Sequence, residues 1–279
     1  MIELRKLFTP VEAMDAEAAK NYIAGRQEGA YTLLDVRQPW EYEEDHIPGA
    51  KLIPLGDLKD SLDELDKGKA TLVYCAVGGR SRVAAQLMSG LGFKEVYNLA
   101  GGIKAYRGAT TAGPYELNLD MVRGDETPGD MLKLAFGMEK ALGKFYEAVR
   151  EKAQDKELVA LLTKLGHIEE AHKRKVFERY QALNPDAPEL AAFEAQVAAE
   201  VMEGGYKVNE FMAQNEAYLK TATQILEVAM MIETQALDLY LRFADKSREE
   251  QTKETLFAIA EEEKAHLAAL GRLLDEKRA

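Results

Sequence analysis

From residue 1 to about 110, short runs rich in Val, Leu, Ile, Thr and Tyr alternate with stretches of helical periodicity. That alternation predicts an α/β domain with a parallel sheet flanked by helices. Helix is expected at 15–24, strand at 31–36, a short helix at 40–44 and strand at 50–53. Helix follows at 56–65, strand at 70–75, helix at 80–91, strand at 95–99 and a helical turn at 101–107. The run from Ala70 to Cys75 is apolar with little alternation, as in a central strand covered on both faces.

Residues 109–129 carry Thr-Thr, Gly-Pro, Arg-Gly-Asp and Thr-Pro-Gly without a sustained period, which predicts a connecting segment. The expected division is a first domain over 1–110, a linker over 111–127 and a second domain over 128–279. Beyond the linker the strand signal disappears. Thr127-Pro128 with Asp130 three residues on is a helix start, an N-cap with proline at the first helical position. Helices are expected at 128–152, 156–183, 215–246 and 249–276, an all-α four-helix bundle. A further helical pattern over 187–203 would supply the long crossover between the two pairs.

The long helices contain an internal repeat. Glu139 and Glu233 stand 94 residues apart, as do Tyr146 and Tyr240, and Glu169 and His172 recur as Glu263 and His266. Between 135–174 and 229–268 only eight positions are identical, and three of those eight are Glu139, Glu169 and His172 with their counterparts. A single Glu-x-x-His would read as a solvated helix face in a chain with 48 acidic residues. Two in register, each preceded by a repeated Glu on an apolar face, instead match a carboxylate-bridged dimetal bundle. Each ion would take oxygen and imidazole donors, a set suited to iron, with manganese or zinc as alternatives. The expectation is two metal ions per chain. Tyr146 and Tyr240 share the helix face of their Glu and read first as core tyrosines. His167 faces away from the pair.

Composition narrows the partners. A net charge of −12 and a pI near 5.0 argue against nucleic acid or an anionic membrane surface. No apolar run approaches a membrane span and the first residues lack a signal-peptide core, so a cytoplasmic protein is expected. The single cysteine excludes an internal disulfide framework and any four-cysteine metal centre within this chain.

That cysteine has a particular setting. Cys75 ends the central strand and is followed by Ala76, Val77, Gly78, Gly79, Arg80 and Ser81, then a helix. The end of a parallel strand is where α/β folds place chemistry. Two glycines let backbone N–H groups converge on the sulfur, and the helix N-terminus and Arg80 add positive potential. All three favour the thiolate, the nucleophilic form.

Together with Leu34-Asp35-Val-Arg37-x-Pro39-x-Glu41-Tyr42, Asp45-His46-Ile-Pro-Gly49-Ala50 and Leu99-Ala-Gly101-Gly102-Ile-x-Ala105, this loop resembles a single-domain rhodanese. The resemblance implies sulfane-sulfur transfer through a persulfide on Cys75, with Arg80 assisting and the amides of Ala76 to Ser81 cradling it. Small sulfur donors and thiol acceptors would be the partners. The related phosphatases have a loop one residue longer, so phosphatase activity is not expected. Asp35 with Arg37, and His46, read as structural groups. Ala76 and Val77 are small and apolar where many relatives carry charge or Ser.

Residues 128–276 resemble the rubrerythrin branch of the ferritin-like superfamily, most closely at Ala260-Glu-x-Glu263-Lys-x-His266. The resemblance implies that Glu169 and Glu263 bridge, that Glu139, Glu233, His172 and His266 are terminal ligands, and that the centre handles oxygen or peroxide. Such proteins carry a further carboxylate three residues after the helix Glu, where this chain has Ala236. They also carry a rubredoxin-type iron, whose absence here would make an external protein the electron donor. The bundle admits homodimerisation. The reading is a sulfurtransferase coupled to a redox-active di-iron bundle. The alternative is a non-catalytic iron-binding or persulfide-sensing protein.

Overall fold

The computed structural model describes residues 9–278, and the chain divides into two compact units between Asp120 and Met121. No helix among the described residues is long and apolar enough to cross a membrane.

The first unit runs β1 (Glu12–Met14), α1 (Ala16–Ala24), β2 (Tyr31–Asp35), α2 (Pro39–Glu44), β3 (Lys51–Leu52), β4 (Ala70–Tyr74), α3 (Gly79–Gly90), β5 (Val96–Leu99) and α4 (Gly102–Ala105). Its strands pair in parallel in the order β1-β5-β4-β2-β3. The period-2 alternation of strand side chains builds two cores, one on each face. Leu34, Val36, Val73 and Cys75 meet Ala84, Ala85 and Met88 of α3 on one side. Leu33, Leu72 and Tyr74 meet Ala19 of α1, Tyr42 of α2 and Ile103 of α4 on the other. All five residues of β4 are buried, which explains its unbroken apolar run.

One expectation for this unit is corrected, and one strand was not foreseen. Residues 56–65 form successive turns with a single 3₁₀ turn at Leu62–Glu64, not a helix. Gly56, Asp57, Asp60, Ser61 and Asp63 favour turns over helical backbone. Leu58 and Leu65 still bury their side chains, so the apolar pattern reported burial without helicity. The three residues of β1 gave no strand signal. They are held at the sheet edge by pairing with β5, a tertiary contact that no local period encodes.

Part of the segment expected as linker packs within the first unit. Thr111 exchanges both backbone hydrogen bonds with His46, each at 2.8 Å. The Tyr115 ring meets Tyr42 edge-on at 6.0 Å between centroids.

The second unit contains α5 (Pro128–Lys152), α6 (Lys156–Leu183), α7 (Leu190–Gln196), the hairpin β6 (Val201–Met202) and β7 (Tyr206–Lys207), α8 (Val208–Asn215), α9 (Ala222–Lys246) and α10 (Glu250–Arg278). Thr127 and Asp130 form a reciprocal capping box on α5, and Asp155 caps α6 through Leu158 N at 2.8 Å. Helices α5 and α6 occupy the expected residues. Helix α9 starts at Ala222 rather than 215, because Thr221 and Gln224 form a second capping box. Residues 216–220 form turns, and α8 before them is a separate helix. α5 packs along α6, and α9 along α10.

The crossover differs most from expectation. The helix over 187–203 is shortened to α7, and the chain then turns through β6 and β7. Gly204 and Gly205 both adopt positive φ, 71° and 83°, so this pair makes a hairpin turn rather than ending a helix. The crossover lies tight against α5 at Gly137, where a Cβ would stand 2.6 Å from Ala198 O. Lys140 ties it down further by donating to Glu194 O at 2.6 Å and Val197 O at 3.1 Å.

Gly137→Ala should therefore destabilise the bundle by about 1–3 kcal/mol through overpacking. Gly166→Ala, where a Cβ meets nothing within 4 Å, should stabilise it by about 0.5–1 kcal/mol through lost unfolded-state freedom. Urea unfolding followed by helical circular dichroism checks the pair. The opposite ranking would contradict the close approach at Gly137.

Candidate functional site

The first site forms where β4 gives way to α3. Cys75 is 1 % exposed. Gly78, in the left-handed region at φ 92°, turns its N–H onto Sγ at 3.1 Å. Ser81 Oγ lies 3.4 Å from the same sulfur and 2.7 Å from Asn98 Oδ1. Behind the loop, Ile103 N donates to Cys75 O at 2.8 Å and Lys104 N to Ala76 O at 3.2 Å. The first turn of α4 thus fixes the backbone that carries the thiol. Gly102, at φ 62°, is required there, since a Cβ would overlap the Cys75 and Ala76 carbonyls.

Burial pushes the Cys75 thiol up, but hydrogen bonds from the Ser81 hydroxyl and the N–H groups of Ser81, Val77 and Gly78 outweigh it. The net effect is a thiol below its ordinary value.

Arg80 makes a bidentate ion pair with Glu41 of α2, both contacts 2.6 Å. Its charge lies close enough to Cys75 to be felt there, yet much of it is offset by that carboxylate. Asp35, Arg37 and Asp45 form a separate network. Arg37 Nη2 lies 2.7 Å from Asp35 Oδ2, and Arg37 Nη1 lies 3.1 Å from Asp45 Oδ1. His46 donates Nδ1–H to Tyr42 O at 2.8 Å and stacks on the Tyr42 ring at 3.7 Å. Both groups hold the fold around the loop. Trp40 and Val77 are the most exposed large apolar side chains among the described residues, at 61 % and 63 %.

The second site lies inside the bundle. Glu139 from α5, Glu169 and His172 from α6, Glu233 from α9, and Glu263 and His266 from α10 are all buried. His172 Nδ1 lies 3.3 Å from Glu169 Oε2 and 3.6 Å from Glu139 Oε2. The other repeat copies this arrangement, with His266 Nδ1 3.2 Å from Glu263 Oε2 and 3.5 Å from Glu233 Oε2. The two imidazoles stack with centroids 3.5 Å apart and planes 5° apart. All six ligands expected from the sequence are thus brought together. His167 is exposed.

A seventh group joins them. Glu203, fully buried in the turn of the crossover hairpin, offers an oxygen within 4.8 Å of oxygens from Glu139 and Glu263. Sequence reasoning missed it because it lies outside the 94-residue repeat, in a stretch expected to be helical. The only signal was an acidic residue between Val201-Met202 and Gly204-Gly205. Tyr240 Oη reaches Glu203 Oε1 at 3.4 Å, and Tyr146 is buried with no hydrogen-bond partner for its hydroxyl.

Burial, reinforced by neighbouring carboxylates, pushes Glu139, Glu203 and Glu263 well above the ordinary range. For Glu233 burial also acts upward, but hydrogen bonds involving His266 and Glu263 carry it below. Carboxylate oxygens of Glu139, Glu169, Glu203 and Glu233, and Nε2 of His266, have no hydrogen-bond partner. Unpaired carboxylates in a dry core cost several kcal/mol each, and bound cations would remove that cost. The donors therefore fit a pair of metal ions, and their oxygen-plus-imidazole chemistry suits iron, manganese or zinc.

Comparison with known proteins finds relatives of each unit. Residues 16–109 match the family model described as rhodanese-like domain, and residues 224–279, which cover nearly all of α9 and α10, match that of rubrerythrin. The putative sulfur carrier protein YrkF of Bacillus subtilis is 41 % identical over 78 residues, 28 % of this chain and 42 % of that protein. The chain thus spans less than half the length of that curated relative. The thiosulfate sulfurtransferase GlpE of Coxiella burnetii is 40 % identical over 75 residues, 27 % of this chain and 70 % of that protein. Among solved structures, the Alr3790 protein from Anabaena is 34 % identical with a TM-score of 0.34, covering 39 % of this chain and 88 % of that one.

Two predictions follow from the geometry. Because Cys75 is the only cysteine, the ultraviolet absorbance of its thiolate reports one titration. Its midpoint should lie below the ordinary 9.0, and Ser81→Ala should move it up. The sign for stability is that of a depressed acid: the contribution is complete above the unfolded thiol's pKa and lost as pH falls through the folded one. A midpoint at or above 9.0 would contradict the donor ring. In the bundle, His172→Ala and His266→Ala should each remove about one of two bound manganese ions, read by elemental analysis after dialysis. Full retention in both variants would show that these imidazoles are not ligands.

Proposed function

We propose, from the premise that this chain belongs to the rhodanese family in its first unit and carries a rubrerythrin domain in its second, a sulfurtransferase joined to a di-iron redox centre. The observation that carries the sulfur chemistry is the ring of donors on Cys75 Sγ, with Gly78 N at 3.1 Å and Ser81 Oγ at 3.4 Å. These groups stabilise negative charge at one buried point, where the same dipoles are worth more than in water.

In the proposed cycle, the Cys75 thiolate attacks the outer sulfur of a donor such as thiosulfate. A sulfur–sulfur bond forms to Cys75 while the donor's own sulfur–sulfur bond breaks, and sulfite leaves with the bonding pair. The new persulfide anion is positioned to take the N–H donors that held the thiolate. A thiol acceptor, entering as thiolate, then attacks the outer sulfur and leaves as a persulfide, which regenerates the Cys75 thiolate. No net oxidation occurs.

The Glu41–Arg80 pair bears on the donor. A guanidinium already matched by a carboxylate offers little net charge to a dianion such as thiosulfate. Ala76 and Val77 add none. Polysulfides and small organic persulfides, with less charge per transferable sulfur, suit this loop better.

In the second unit, Glu139, Glu169, His172, Glu233, Glu263 and His266 would hold two iron ions, which when bound supply two-electron exchange with oxygen or peroxide. The helices hold these side chains in a water-poor core, and Tyr240 and Tyr146 wall it from the α9 and α5 sides. Coupling between this centre and the sulfur carried by Cys75 belongs to the same proposal, with an external protein as electron donor.

Cys75→Ser should abolish sulfur transfer and leave the bundle's metal content unchanged. Mass spectrometry after polysulfide treatment should show one added sulfur on the wild type and none on the variant. Glu41→Gln should raise kcat/KM for thiosulfate more than for an organic persulfide, since it frees the Arg80 charge. An unmodified Cys75 under every donor would overturn the sulfurtransferase reading. One stoichiometric loading without turnover would mark a persulfide sensor instead.

A further inference from the structure

We infer that Glu203 is a fifth carboxylate ligand of the dimetal site, and that metal binding therefore orders the hairpin that carries it. The inference rests on reading the bundle as a dimetal site, and it assigns a role to the crossover between the repeats.

Its burial has no other explanation among its neighbours. Glu203 is 0 % exposed, and Oε2 has no hydrogen-bond partner. The one hydroxyl that reaches Oε1, from Tyr240, does so at a long 3.4 Å. Among the described residues no Lys or Arg pairs with it; the groups that act on it are Glu233, Glu169 and Tyr240. A carboxylate buried for structural reasons is normally matched by a cation or several N–H donors. This one is aimed at other carboxylates, an arrangement that bound cations, or protons held in their place, make favourable.

Its position also spans the site. One oxygen can lie within 4.8 Å of oxygens from both Glu139 and Glu263, which come from different repeats. On α9 no second acid stands one turn beyond Glu233, where the chain has the buried Ala236 and Leu237.

The hairpin is built to deliver this residue. Gly137 lets the chain descend onto α5, Met202 is fully buried, and Gly204 turns back at φ 71°. A Cβ at Gly204 would stand 2.9 Å from both the Gln235 side chain and the Tyr206 ring, so the turn is pressed against α9. Yet the hairpin has two residues per strand, and such a hairpin has little stability of its own. The other carboxylates ride on long helices and are positioned with or without an ion. Glu203 alone rides on a short hairpin, the element whose order an ion could add to most.

The test uses the full chain and manganese(II). Wild type should bind two ions, and Glu203→Gln should bind at least one of them about tenfold or more weakly. Hydrogen exchange at residues 201–207 should slow on manganese addition in wild type and change little in Glu203→Gln. Glu200→Gln, at an exposed position nearby, should behave as wild type in both measurements. Exchange in the wild type needs no variant, so it decides the matter even if Glu203→Gln folds poorly. If wild type binds two ions while Glu203→Gln keeps both affinities and hairpin exchange ignores the metal, Glu203 is not a ligand. If wild type binds none, the dimetal reading itself fails and this inference with it.

Discussion

Mutual repulsion among carboxylates in a dry core is the constraint on which the second unit depends. Glu139, Glu169, Glu233 and Glu263 converge from four helices, and Glu203 is added from the crossover. Without ions the groups limit that repulsion by holding protons, which is why burial and neighbouring carboxylates push Glu139, Glu203 and Glu263 well above the ordinary range. The long apolar faces of α5, α6, α9 and α10 press the groups together regardless. A bundle that buries so much acid, with no Lys or Arg paired to these groups among the described residues, has a donor set that fits cations.

The first unit handles buried negative charge by different means. At Cys75 no full positive charge is left unmatched, because Arg80 is engaged by Glu41. The thiolate is instead held by N–H and O–H dipoles whose positions are set by glycines at φ 92° and 62° and by the start of α4. Fixed dipoles stabilise a localised charge on one sulfur. They would serve poorly for five carboxylates, where ions of high charge density are needed. Each unit uses the device suited to the amount of charge it buries.

Both site centres were readable in the sequence because each is written in local spacing. Glu-x-x-His places two side chains on one helix face, and its return after 94 residues marks it as a site. Cys-x-x-Gly-x-Arg-Ser at a strand end similarly carries its own geometry. α5 and α6 were legible to the residue because Thr127-Pro128 and Asn184-Pro185 punctuate them. What escaped was set by tertiary contact. β1 exists through pairing with β5, Arg80 is matched by a residue 39 positions away, and Glu203 is buried by a hairpin whose glycines resemble a helix stop.

The stacked imidazoles of His172 and His266 have a geometric meaning of their own. When two copies of one unit are related by a twofold axis, residues on the axis meet their own counterparts. His172 and His266 are such counterparts, and they lie face to face at 3.5 Å. A pseudo-dyad therefore runs between the rings, and the bundle is an isologous dimer of helical hairpins written into one chain. Neither hairpin holds a complete set of donors, so the centre is an interface between halves. Covalent linkage frees those halves from the obligation to stay identical. Glu203, in the connection that a true dimer would lack, has no partner across the dyad and is where that freedom has been used.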